Sequence, residues 1–224
     1  MSEFSRVSML IDINQLKNKT VAIVGIGGVG GYVAESLARS GIGKLILVDY
    51  DVVDETNINR QIIALHSTLG EDKVALMKNR IYDICKDIQV VTYSIPYNES
   101  NRYQIFNEPI DFLVDACDTI RSKQILIIEC LKRNIPFISS MGTGNRLDPS
   151  QLKIGYLSKT QGDPLARIMR KWAKDEQIHV PISVLYSTEL PIKTGTRQPG
   201  SLIFVPASAG LLIGSYIVRY FLSK

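Results

Sequence analysis

The densest run of chemistry-bearing residues begins at Gly25-Ile-Gly27-Gly28-Val-Gly30. Glycines at this spacing let the backbone turn tightly, let a phosphate reach the amides, and let the following helix press onto the preceding strand. A helix opening here offers free N–H groups and the positive end of its dipole to an anion. Asp49 lies 19 residues beyond Gly30, where a carboxylate can accept hydrogen bonds from ribose hydroxyls. The spacing alone is compatible with a tight turn that binds nothing. Its place between a strand and a helix favours a nucleotide, without saying which one.

Further groups lie within reach of that seat. Asp51 and the run Asn57-Ile-Asn59-Arg60-Gln61 follow the second strand. They put a guanidinium and several amides where they can hold a triphosphate and stabilise charge on phosphorus, or else form an ordinary solvated loop. Lys73 opens the next helix, as a phosphate-reaching amine or as a surface lysine. Asp115-Ala-Cys117-Asp118 ends a later strand. Asp118 beside a phosphate is a natural Mg²⁺ ligand, and it is equally suited to cap the helix that follows. His66 and His179 read as surface or loop residues, so a proton-relaying site for a nicotinamide is not evident.

The elements that must position these groups alternate regularly. Strands are predicted over residues 20–24, 44–49, 89–93, 111–117 and 136–140, with helices over 28–40, from 71 onward, and over 120–133. This order implies an α/β, Rossmann-like, doubly wound and mainly parallel sheet. Beyond Met141 the segments 153–157, 182–186 and 201–205 read as strands of a C-terminal antiparallel extension, followed by a C-terminal apolar helix. The whole, residues 1–224, reads as a single domain, with a nucleotide-binding core over 1–145 and an extension over 146–224. Residues 203–222 are apolar over a length that could cross a bilayer. Pro206, Ser208, Ser215 and Arg219 interrupt them, and a buried helix is the expectation.

Composition narrows the classes. The 224 residues are 45% hydrophobic and 21% charged, which supports a substantial core and argues against disorder. A net charge of +4 permits a polyanionic partner without requiring one. Cys85, Cys117 and Cys130 form no C-x-x-C pair, so neither a disulfide framework nor a cysteine zinc site is expected. The start of the chain lacks the pattern of a secretory leader, and a cytoplasmic location without a membrane is expected. Asp163 and Pro164 suit a helix start. The following stretch carries an apolar stripe of Leu165, Ile168, Met169 and Trp172 and a basic stripe of Arg167, Arg170, Lys171 and Lys174. That basic face is either solvated or in contact with a polyanion.

In these residues the chain resembles the superfamily of ThiF, MoeB and the ubiquitin-activating enzymes. Within it the resemblance is to the tRNA threonylcarbamoyladenosine dehydratases. The glycine loop, Asp49, Asp51, the Asn57 to Gln61 run, Lys73 and Asp118 carry the superfamily likeness. Leu147-Asp-Pro-Ser-Gln-Leu152, Asp163-Pro-Leu-Ala-Arg167 and Tyr186-Ser-Thr-Glu189 carry the closer one.

The resemblance implies ATP-dependent adenylation of the threonyl carboxylate of N6-threonylcarbamoyladenosine in the tRNA anticodon loop. A cyclising dehydration would follow, with release of AMP and pyrophosphate. It implies that Gly25, Gly27, Gly28, Gly30, Asp49, Asp51, Asn57, Asn59, Arg60, Gln61 and Lys73 bind the nucleotide. Arg60, Lys73 and Asp118 would serve catalysis, with Asp118 holding Mg²⁺. Arg6 matches an arginine that relatives donate across a dimer interface. A homodimer, a possible sulfur-transfer partner, and tRNA contact through Arg167, Arg170, Lys171 and Lys174 are further expectations. Three rivals stand beside this reading: adenylation of the C-terminus of a ubiquitin-like sulfur carrier, a nicotinamide-dependent oxidoreductase, and a catalytically silent tRNA- or protein-binding module, against which Arg60, Lys73 and Asp118 argue.

Overall fold

The computed structural model describes residues 3–196 and 198–223. Its strands β1 (Thr20–Val24), β2 (Lys44–Val48), β3 (Gln89–Tyr93), β4 (Phe112–Asp115), β5 (Phe137–Ser140), β6 (Leu152–Tyr156) and β7 (Ser183–Ser187) form one sheet in the order β3-β2-β1-β4-β5-β7-β6. All neighbours are parallel except β6, which runs antiparallel to β7 at the edge. The helices are α1 (Asn14–Lys17), α2 (Gly30–Arg39), α3 (Lys73–Ile84), α4 (Ile120–Arg133), α5 (Pro164–Asp175) and α6 (Phe204–Leu222).

Successive strand residues point to opposite faces, and both faces are covered, so the central strands are apolar throughout. Val21, Ile23, Leu45, Leu47, Phe112 and Val114 pack on one side with α2, α3 and α6. Ala22, Val24, Ile46, Val48 and Leu113 pack on the other with Ile125, Leu126 and Cys130 of α4. Met169 and Ala173 of α5 join Ile127 of α4 and Val184 of β7 in a third cluster. The strand order reverses between the parallel β1 and β4, and in such sheets a ligand crevice opens outside the carboxyl ends of the strands at that point.

The structure changes three expectations for the second half. Residues 201–205 are not a strand. Helix α6 starts at Phe204, and Pro206 sits in its first turn, where a missing N–H costs nothing. Among the described strands the one antiparallel pair is β6–β7, with α5 between them in sequence, and β7 itself runs parallel to β5. On α5 the buried stripe is Ala166, Met169 and Ala173, while Ile168 is 44% exposed, so the apolar face is turned by about one residue from the predicted one.

Helix α6 is long and apolar enough to cross a membrane by length and composition. Here it lies along α2 and buries Val205, Ala209, Ile213, Ile217 and Phe221. Gly210 and Gly214 permit that approach: a Cβ on either would stand 2.5 Å from Val29 O or 2.1 Å from Ser36 Oγ.

Candidate nucleotide cleft

A cleft of about 390 Å³ opens at the carboxyl ends of β1, β2 and β4. Its lip is the glycine loop. Gly25 has φ +93°, a left-handed conformation that favours glycine, and a Cβ there would lie 2.6 Å from Ala116 O. Gly30 does not line the cleft. Its missing Cβ, which would sit 1.8 Å from Gly25 O, lets α2 start against the turn. Gly27 faces the open space, where a phosphate can approach the backbone.

Asp49 closes the loop from below. Its Oδ2 accepts from Ile26 N at 2.6 Å and its Oδ1 from Asp51 N at 3.0 Å. Burial pushes its carboxyl above the ordinary value, against those two hydrogen bonds and the nearby Lys73 charge. The buried Lys73 Nζ donates to Asp51 Oδ2 at 2.9 Å, so the exposed Asp51 aims the ammonium from the solvent side.

The Asn57 to Gln61 run forms a wall with divided labour. Asn57 folds its own turn, accepting from Asp54 N at 3.3 Å. Asn59 does not line the cleft; it donates to Ser201 O at 2.8 Å and ties the wall to the segment before α6. Arg60 is braced by Thr56 O at 2.7 Å and Asn59 Oδ1 at 2.8 Å, which leaves its remaining N–H groups for a ligand. Gln61 is buried in the cleft wall, and its Oε1 has no hydrogen-bond partner among the described residues. An orphaned buried acceptor in a cleft is the mark of a site completed by something else.

Asp118 stands exposed at the end of β4, its Oδ1 touched by Thr119 Oγ1 at 3.3 Å. It is not the cap of α4: that position is Thr119, which makes no side-chain cap bond. No group of three or more His, Cys, Asp or Glu able to hold a metal occurs among the described residues. Asp118, the cleft carboxylate whose oxygens are not taken up by backbone amides or a lysine, fits Mg²⁺, which binds through one or two carboxylates plus substrate phosphates rather than in an all-protein cage.

Cys117 lines the cleft, but its thiol is pushed well above its ordinary value, first by burial and then by Asp115, to which it donates at 2.9 Å. It is a neutral thiol rather than a ready nucleophile. Asp115 is fully buried and held by Lys123 Nζ at 3.1 Å and by Ser139 Oγ. This pair fixes the strand end beneath Asp118.

Several cleft residues escaped the sequence reading: Tyr50, Ile95, Tyr97, Ser122 and Ser201. Ile95 and Tyr97 follow β3, so the rule placing ligands at strand ends could have flagged them. Thr143, just past β5, obeys the same rule, whereas Ser201 carried no such signal. Arg6 is exposed and does not line the cleft of its own chain. On α5, Arg167, Lys171 and Lys174 are exposed, while Arg170 turns inward to Thr160 O at 2.8 Å and to Thr160 Oγ1.

Comparison with known proteins adds an independent line. The ThiF family matches residues 4–160. A tRNA threonylcarbamoyladenosine dehydratase of Bacillus subtilis is 42% identical, over 97% of this chain and 94% of its own length. One from Escherichia coli is 38% identical over 70% of this chain, which spans 58% of that protein. Among solved structures, the E. coli tRNA N6-threonylcarbamoyladenosine dehydratase in complex with ATP superimposes with a TM-score of 0.94 at 31% identity, covering 99% of this chain and 94% of that one. E. coli MccB with ATP shares the fold at a TM-score of 0.67 and 22% identity.

Proposed function

This chain belongs to the ThiF family, and from that premise we propose that it is an ATP-dependent tRNA threonylcarbamoyladenosine dehydratase. The observation that carries the reading is the likeness to the B. subtilis enzyme across nearly the whole chain, through β6, α5 and β7 as well as the nucleotide half.

The residues support the following chemistry. Gly27 and the start of α2 seat the phosphates, and Asp49 holds the ribose. Arg60 and Lys73 neutralise the charge that builds as a threonyl carboxylate oxygen attacks the α-phosphorus and pyrophosphate leaves. Mg²⁺, when held by Asp118 and the phosphates, would supply further neutralisation. A nucleophile of the same modified side chain then attacks the activated acyl carbon, closing a ring and expelling AMP. The net change is loss of one water from the nucleoside. Positioning and charge do the work, so no enzyme nucleophile is needed.

A second copy of the chain is part of this reading. Phe204, Leu211 and Leu212 leave an apolar strip on the outer face of α6, and Met9 and Leu10 are exposed near Arg6. Arg6 would reach a cleft only from such a copy. Exposed Arg167, Lys171 and Lys174 would meet the tRNA backbone. The enzyme would work in the cytoplasm, and a sulfur-transfer protein would be an auxiliary partner. The carrier-protein alternative lacks support here: there is no C-x-x-C pair, and the half-buried Cys117 thiol is pushed well above its ordinary value by burial and by Asp115. Nothing observed favours an oxidoreductase.

The test is incubation with ATP, Mg²⁺ and tRNA carrying the threonylcarbamoyl modification, followed by mass spectrometry of the nucleosides. Loss of about 18 mass units, one water, matched by AMP release is the expected outcome, because activation and capture share one adenylated state. ATP binding with no change in nucleoside mass would defeat the tRNA reading.

A further inference from the structure

Helix α5 joins two concave sites. At its start Asp163 caps the helix and binds Arg146 Nη2 at 3.1 Å. Arg146 in turn donates to Gly142 O and to Gly144 O, and Thr143 between them lines the nucleotide cleft. At its other end α5 borders a separate cavity of about 540 Å³, completed by the end of edge strand β6 and the turn before β7. Twelve helical residues span about 18 Å, the reach of a few nucleotides of extended strand.

The second cavity has the parts of a base-and-phosphate site. Its floor is apolar: Leu157, Ala173 and Ile182 are buried there. The Tyr156 ring stands at the rim, 52% exposed, although a large aromatic is normally covered. Lys159, Arg170 and Lys174 line it, and no Asp or Glu does. Arg170 is fixed in place by Thr160, so one cation is preorganised. Single-stranded RNA is recognised by bases stacked on aromatic rings with cations along the backbone.

Resting on the tRNA reading above, we propose that this cavity takes an unstacked nucleotide of the same tRNA, its base against Tyr156 and its phosphate between Lys159 and Lys174. The reacting nucleoside would then be held in the cleft while a neighbour anchors about one helix length away.

The test measures dehydration kinetics on modified tRNA for Tyr156→Ala, Tyr156→Phe and the double variant Lys159→Gln with Lys174→Gln. Losing one stack raises KM for tRNA about tenfold in Tyr156→Ala, with kcat and ATP affinity unchanged. Tyr156→Phe keeps wild-type KM. The double variant lowers the salt slope of tRNA binding by about two, one per cation removed. Unchanged KM in Tyr156→Ala, or an equal rise in Tyr156→Phe, would overturn the proposal. If the wild type does not dehydrate the modified tRNA, the functional reading has failed. Fluorescence anisotropy with the same tRNA then decides the cavity separately: weaker binding by the variants supports the site, and unchanged binding sinks it, as a protein-docking cavity would.

Discussion

The nucleotide cleft and the scaffold behind it treat polar groups in opposite ways. In the cleft, polarity is left open: Gln61 Oε1 has no partner among the described residues, Asp118 is exposed, and Arg60 is braced by only part of its guanidinium. In the network that ties Arg146, Asp163 and Glu189 to the 142–148 backbone, polarity is closed inward. Arg146 reaches Gly142 O, Gly144 O, Asp163 and Glu189 O, while Glu189 accepts from Leu147 N and Asp148 N. A region meant to bind leaves its partners to the ligand, and a region meant to support supplies them itself. Substitutions should therefore separate: activity without stability in the first region, stability before activity in the second.

The largest separation is expected at Arg60 and Asp118. Arg60→Ala should slow AMP release about 100- to 1000-fold, the usual cost of one preorganised donor. Asp118→Asn should abolish turnover. Both should melt within about 2 °C of the wild type, as surface substitutions do. Near-normal turnover by Asp118→Asn would remove its metal role.

Next is Arg146→Met, which strands the buried Asp163 charge. Breaking a buried pair costs about 3–5 kcal/mol, so the melting temperature should fall by roughly 10 °C. A shift below about 2 °C would show that the scaffold does not depend on this closure.

A smaller effect is expected on α5. Reversing Arg167, Lys171 and Lys174 to Glu should raise KM for tRNA and flatten its salt dependence while sparing ATP affinity. Arg170 is left out because its guanidinium holds Thr160. Unchanged tRNA affinity would make this face merely solvated.

The mildest contrast is Asp49, whose carboxyl is raised by burial. The folded chain binds that proton more tightly than the unfolded chain does. Its contribution to stability is therefore greatest below the unfolded value and is lost as pH rises through the folded one. ATP affinity should run the other way, declining as pH falls through the folded value, because protonation removes an acceptor. Calorimetric titration between about pH 7 and 4 checks this, and Asp49→Asn should flatten the dependence.

The same contrast explains what could be read from the sequence. The cleft rests on backbone geometry and local spacing, so Gly25 to Gly30, Asp49, Lys73 and Asp118 announced themselves, and β3 and α4 fall at their predicted bounds. Tyr97 could have been found from the strand-end rule. The scaffold rests on partners far apart in sequence. Arg146 with Glu189, or Asn59 with Ser201, leaves no local pattern. Residues 201–205 read as a strand because a short apolar run does not reveal its period. In the structure only Phe204 and Val205 of that run are helical, as the first residues of α6, which packs on α2 through Gly210 and Gly214. On α5 the small Ala166 and Ala173 carry the buried stripe, and alanines weigh little in an apolar count.

That contact between α2 and α6 has a bearing on the order in which the molecule can form. Helix α2, which starts at the lip of the cleft, finds its packing partner more than 160 residues further along the chain. While the chain is being made, α2 must wait with an apolar side uncovered, because residues 204–222 have not yet left the ribosome. Such distant pairing is slow to close. The turn at Gly25 to Gly30 is thus synthesised well before its packing is secured, a window in which a chaperone or a protease would find it open.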